Sequence, residues 1–265
     1  MSFRKLPRVD IVYLCALAFL AGFVDSVVGG GGLVQLPGLF ILLPKPLTES
    51  IPTVFGTNKL ASILGTSVAL AQYARRVSIH WATILPAAAA AFCFSFLGGW
   101  VVTRVSGSNG FKPILLILLI AVAVYTFWRK DFGSLHAPRL TPRGERAAGL
   151  LIGAGIGFYD GFFGPGTGSF LIFIFIGLFG FDFLTASASA KVINVATNLS
   201  VVLYFGATDH ILYRFAVPMG VSNILGALLG SRLAILKGNA FVRGFFMIVV
   251  SVMIARFGWD VLTSK

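Results

Sequence analysis

The sequence predicts an all-α polytopic membrane protein made of two inverted repeats of about five segments each, with broken or re-entrant helices at two glycine-rich motifs. Composition is the first observation behind this. With 57% hydrophobic and only 11% charged residues, and a mean hydropathy of +0.91, the chain lies outside the range of water-soluble domains. A duplication is the second: Gly22-Phe23-Val24-Asp25 followed by Gly29 and Gly31 recurs as Gly157-Phe158-Tyr159-Asp160 followed by Gly164 and Gly166. The third is that each copy sets an acid and a glycine-rich break inside an apolar stretch. Unpaired backbone groups facing lipid cost several kcal/mol each, so such a break must line a protein-enclosed cavity.

Apolar runs bounded by charges, Pro and Gly fall at about 9–28, 32–43, 54–74, 81–103 and 112–129 in the first half, and at about 147–163, 168–180, 186–206, 213–236 and 241–260 in the second. The second run of each half is short. A helix of about 12 residues reaches roughly 18 Å, against a hydrocarbon core of about 30 Å. Whether the broken pair counts as two crossings or none, each half crosses an odd number of times, which makes the repeats inverted. Lys59 aligns with Lys191, Pro86 with Pro218 and Gly98 with Gly230 at one constant offset. Residues 1–130 therefore read as the first transmembrane repeat, 131–146 as a linker and 147–265 as the second repeat.

The net charge of +12 is dispersed between apolar runs rather than gathered in a patch, which argues against a nucleic-acid partner. Arg129, Lys130, Arg139, Arg143 and Arg146 crowd the linker and place it in the cytoplasm, with Arg75 and Arg76 on the same side and both termini outside. Arg4, Lys5 and Arg8 oppose that orientation. The basic start and Ala16-Leu17-Ala18 resemble a secretory signal, but cleavage there would remove part of a matched half. Tyr13, Trp81, Trp100, Trp128, Tyr213 and Trp259 sit near segment ends, as interfacial anchors do. Cys15 and Cys93 lie in apolar runs and imply neither disulfide nor metal site. His80, His136 and His210 lack partners at metal-ligand spacing and read as surface histidines. No cofactor or catalytic residue is implied: the glycine-rich stretches complete neither the P-loop nor the dinucleotide pattern.

Two constellations carry the chemistry. Gly29, Gly30, Gly31 and Gly32, and Gly164 through Gly166, Thr167 and Gly168, let backbone approach a ligand, and a half-helix starting after each break would aim free N–H groups at an anion. The alternative is that these glycines only permit tight helix packing. Lys59, Ser62 and Thr66 share one helix face, and Lys191, Asn194 and Asn198 repeat that spacing. A lysine inside a span costs at least about 2.5 kcal/mol and needs a reason. Asn58, Gln35, Thr167 and Ser169 add donors from adjacent turns. The alternative reading is that each lysine snorkels to the interface or neutralises the aspartate of its own half, Asp25 or Asp160. Those aspartates either brace the breaks or carry a coupled proton, since burial favours a neutral carboxyl and a nearby ammonium a charged one.

The run Ala21-Gly22-Phe23-Val24-Asp25-Ser26 leading to Gly29-Gly30-Gly31-Gly32-Leu33, with Gly56-Thr57-Asn58-Lys59-Leu60, resembles the TauE/SafE sulfite exporter family. Gly157-Phe158-Tyr159-Asp160-Gly161-Phe162-Phe163-Gly164-Pro165-Gly166-Thr167-Gly168-Ser169 is similar to its YfcA-like branch. The resemblance implies a multi-pass carrier of the bacterial inner membrane that exports small sulfur-containing anions, such as sulfite or organosulfonates, by alternating access. A passive anion channel and a carrier of another organic anion are the rival readings. Gly30 against Pro165, Asn58 against Ala190 and Ser62 against Asn194 break the repeat symmetry, so one half is expected to dominate binding.

Overall fold

A computed structural model describes residues 11–104 and 140–263. All regular structure among them is helical: α1 (Ile11–Val28), α2 (Gly31–Leu42), α3 (Lys45–Thr48), α4 (Ile51–Ala74), α5 (Trp81–Arg104), α6 (Pro142–Phe162), α7 (Thr167–Ile174), α8 (Phe183–Ala207) and α9 (Tyr213–Thr263). A π-helical turn, Phe175–Phe179, prolongs α7. At Gly238 (φ 69, ψ −164) α9 breaks into two arms. The apolar runs expected from the sequence thus fall on helices, except that the run at 112–129 lies outside the described residues, as do Trp128, His136 and most of the basic linker.

The distribution of polarity is the reverse of a water-soluble protein. Leu151, Ile41 and Leu236 are each more than 70% exposed, while Lys191, Thr197 and Ser200 are fully buried. Four helices are long and apolar enough to cross a bilayer: α1, α5, α8 and Tyr213–Val252 of α9. The chain is an all-α polytopic membrane protein. Tyr13, Trp81, Trp100, Tyr213 and Trp259 are exposed near helix ends.

α6 begins earlier than its apolar run. Thr141 caps it by accepting from Gly144 N at 3.2 Å, Pro142 stands at the first helical position and Glu145 lies in the first turn. Glu145 is buried and accepts from Thr83 Oγ1 at 3.1 Å. A polar opening turn is invisible to a search for apolar runs.

Helix association in lipid rests on close packing and interhelical hydrogen bonds rather than on expulsion of water. α5 and α6 meet along facing rows of small residues, with Thr83, Ala87, Ala91 and Ser95 against Gly149, Gly153, Gly157 and Gly161 in order, so the two helices run the same way. α1 lies along the first arm of α9 in the same sense. Asn223 Nδ2 donates to Ala18 O at 3.1 Å, Gly226 packs on Phe19 and Gly230 on Phe23. The contacts are reciprocal: Gly230 meets Phe23 where its sequence match Gly98 meets Phe158. Each half therefore docks its first helix on the other half's fourth. The helices that carry Lys59 and Lys191, α4 and α8, cross in opposite senses, with Gly56 against Phe205 at one end and Thr66 and Asn194 on a shared cavity further along.

Candidate functional site

Both helix breaks occur at the core of this arrangement. After α1 the chain turns through Gly29 (φ 64) and Gly30 (φ 148), and after α6 through Gly164 (φ 88) and Gly166 (φ 83). These are left-handed or wider conformations that residues with a Cβ rarely adopt. α2 and α7 then begin at Gly31 and Thr167, and no side chain caps either N-terminus. Thr167 N donates to Gly164 O at 3.3 Å and Leu33 N to Gly30 O at 2.9 Å, and the helix dipoles favour negative charge at both starts.

The two breaks touch. A methyl group on Gly29 would collide with the backbone of Gly168, and Ser169 Oγ donates to Val28 O at 3.0 Å and also reaches Gly29 O. Tyr73 OH donates to Ser26 O at 2.9 Å beside the first break, and Tyr159 OH to Pro165 O at 2.6 Å within the second. Between the breaks lies a polar cavity of about 40 Å³. That is room for about one water-sized group.

The cavity is lined by Gly30, Gly32, Asn58, Lys59, Ser62, Gly166, Thr167, Gly168, Asn194 and Asn198, together with Asp25, Thr66, Asp160 and Gly164, all of them singled out in the sequence. Gly31, Gln35, Ser169 and Lys191 do not line it. Gly31 packs on Ala21 and Asp25. Gln35 is buried beside α9, where its Oε1 accepts from Asn223 Nδ2 at 3.1 Å. Ser169 is spent stapling the breaks together.

The lysines pair, but not within their own halves. Lys59 Nζ lies 2.7 Å from Asp160 Oδ2, and Lys191 Nζ lies 3.1 Å from Asp25 Oδ2. Crossing α4 over α8 delivers each ammonium to the opposite break, which corrects the own-half neutralisation considered from sequence. The two pairs differ in their surroundings. Lys191 Nζ also donates to Asp25 O, and the Asp25 carboxylate accepts from Thr66 Oγ1 at 3.1 Å and Gly30 N at 3.4 Å. Asp160 Oδ1 accepts from Thr167 Oγ1 at 2.7 Å.

Two aspartates and two lysines leave the site close to neutral, so any preference for anions must come from the uncapped helix starts and the side-chain amides. Asn58 Oδ1 and Asn194 Oδ1 are buried with no partner among the described residues. Unspent hydrogen-bonding capacity on the wall of a cavity is what a polar ligand or water would use.

Sequence reasoning missed Asn223, which ties α1, α2 and α9 together. A lone buried amide in an otherwise apolar run was the available signal. His80, read as a surface residue, is half-buried, with its ring edge-on to Phe181 at 4.8 Å.

Known proteins agree with a membrane-embedded chain. The sulfite exporter TauE/SafE family matches residues 14–257. A probable membrane transporter protein, ORF9, from Sinorhizobium is 37% identical over 92% of this chain and 90% of its own length. The probable membrane transporter protein YfcA of Escherichia coli is 34% identical over 98% and 94%, and a probable membrane transporter protein of Haemophilus influenzae is 31% identical over 94% and 95%. No solved structure matches. With a match across nearly the whole chain and relatives named as membrane transporters, the protein belongs to the TauE/SafE sulfite exporter family.

Proposed function

We propose that this membrane transporter is a secondary carrier that exports small sulfur-containing oxyanions, such as sulfite or organosulfonates, across the bacterial inner membrane. The observation that carries the reading is the meeting of two uncapped helix N-termini on one polar cavity that also holds the Lys59 ammonium. Such a site suits a compact ligand bristling with acceptor oxygens. Matched breaks in two halves are the usual sequence mark of a transporter binding site.

Alternating access by two inverted repeats, 1–130 and 147–265 joined through 131–146, fits the reciprocal docking of α1 on α9 and α6 on α5 and the opposed directions of α4 and α8. Rocking one half against the other would expose the cavity to each side in turn. A coupled proton on Asp25 or Asp160 would keep the site neutral as an anion enters. The transporter names of the relatives support a carrier that returns its cargo chemically unchanged rather than an enzyme.

Proteoliposomes loaded with sulfite provide the test. A carrier gives flux that saturates with sulfite concentration and is accelerated by sulfite on the far side. Flux that rises linearly, with no such acceleration, would establish the channel reading instead.

A further inference from the structure

Of the two exchanged ion pairs, the geometry points to Lys59–Asp160 as the one that opens for cargo, with the Asp160 carboxylate holding the place of the anion until substrate displaces it. This rests on the oxyanion reading above and names the residue with which the substrate competes.

The two pairs are unequal in three ways. Lys59 and Asp160 both line the cavity, whereas of the other pair only Asp25 does and Lys191 is fully buried. Lys191 is held twice by Asp25, through carboxylate and carbonyl, and that carboxylate is held in turn by Thr66 and Gly30 N. Opening this clasp would orphan several buried groups together, which makes it a fixed tie between the halves. Lys59 by contrast has Asp160 as its one partner among the described residues, and an ammonium carries three donors.

Thr167 makes release of Asp160 inexpensive. Its hydroxyl has a single proton and lies 2.7 Å from both Asp160 Oδ1 and Gly164 O. When the carboxylate leaves, the same proton turns to the carbonyl, so the Thr167 hydroxyl is not stranded. The freed ammonium then shares the cavity with Asn58 and the uncapped start of α7.

This arrangement also defines the substrate class. A simple carboxylate such as acetate only repeats what Asp160 already provides and gains little by displacing it. A compact oxyanion with three or more oxygens satisfies Lys59 as well as Asp160 does and has acceptors left for the helix start and the amides. Sulfite should therefore compete where acetate does not.

The test is calorimetric titration of the purified full-length protein with sodium sulfite and with sodium acetate. Asp160→Asn removes the internal competitor, and sulfite affinity is expected to rise tenfold or more, whereas Asp25→Asn gives no tightening. Sulfite binding by the wild type with Asp160→Asn no tighter overturns the assignment alone. Binding by neither protein overturns the assignment together with the oxyanion reading. Should Asp160→Asn fail to give monodisperse protein, Thr167→Val, which removes one tether from the carboxylate, is expected to tighten sulfite binding severalfold. Unchanged or weaker binding by that variant overturns the assignment.

Discussion

Lys191 and Lys59 occupy matched positions and make matched ion pairs, yet their environments assign them different tasks. Lys191→Met would leave the part-buried Asp25 carboxylate without its counter-charge, and breaking a buried pair from one side costs up to about 3–5 kcal/mol. Thermal unfolding in detergent should register this as a clear drop in midpoint, and Lys191→Met combined with Asp25→Asn should recover part of it. A Lys191→Met protein as stable as wild type would mean the clasp holds nothing. Lys59→Met is expected to lose less stability, because Lys59 holds one group where Lys191 holds two, and to abolish sulfite binding by calorimetry. The identity of the charged residues was legible in the sequence, since lysine and aspartate inside apolar runs demand a use. Their partnership was not. Helical periodicity tells which side chains share a face, but Lys59 meets Asp160 only because α4 crosses α8, and no spacing along one helix encodes a crossing.

At the scale of the element, helix existence and the two breaks were legible to within a few residues, because glycine runs and apolar periods act locally. The order in which helices dock was not, although it was written in a code that is clear afterwards. Gly149, Gly153, Gly157 and Gly161 recur every fourth residue on α6 and accept the backbone of α5. Gly155, between them, faces open space. Gly153→Val should therefore drive α5 and α6 apart and lower the unfolding midpoint sharply. Gly155→Ala should be neutral or stabilise by up to about 1 kcal/mol, since alanine is the better helix former. Equal effects from the two substitutions would show that the small-residue row does not hold the pair together. Sequence reasoning weighed cavity lining and tight packing as rival explanations for glycine. The structure divides them by position, with Gly30, Gly32, Gly164, Gly166 and Gly168 at the cavity, and Gly29, Gly31 and the α6 row in close packing.

For the whole molecule, the directions of the helices bring many basic residues to one face. α6 starts beside the start of α5, so Arg143 and Arg146 share a side with Arg75 and Arg76, which follow α4. By the positive-inside rule that face is expected to be the cytoplasmic one. In a background with Cys15 and Cys93 replaced by serine, Ser78→Cys should react with a membrane-impermeant maleimide only in inside-out vesicles. Glu49→Cys, at the opposite end of α4, should react only in right-side-out ones. The reverse pattern would invert the orientation. Both positions are exposed, so lack of reactivity would report sidedness rather than burial.

The exchange of charges between halves bears on how the protein is made. When the first half leaves the ribosome, Lys59 enters the bilayer with its carboxylate still untranslated, and Asp25 waits likewise for Lys191. Biogenesis must shelter both groups, at the translocon or in transient water, until the later helices arrive. Nascent chains stalled before Asp160 should accordingly be marked for proteolysis, and the two halves produced as separate polypeptides should survive only in one another's company.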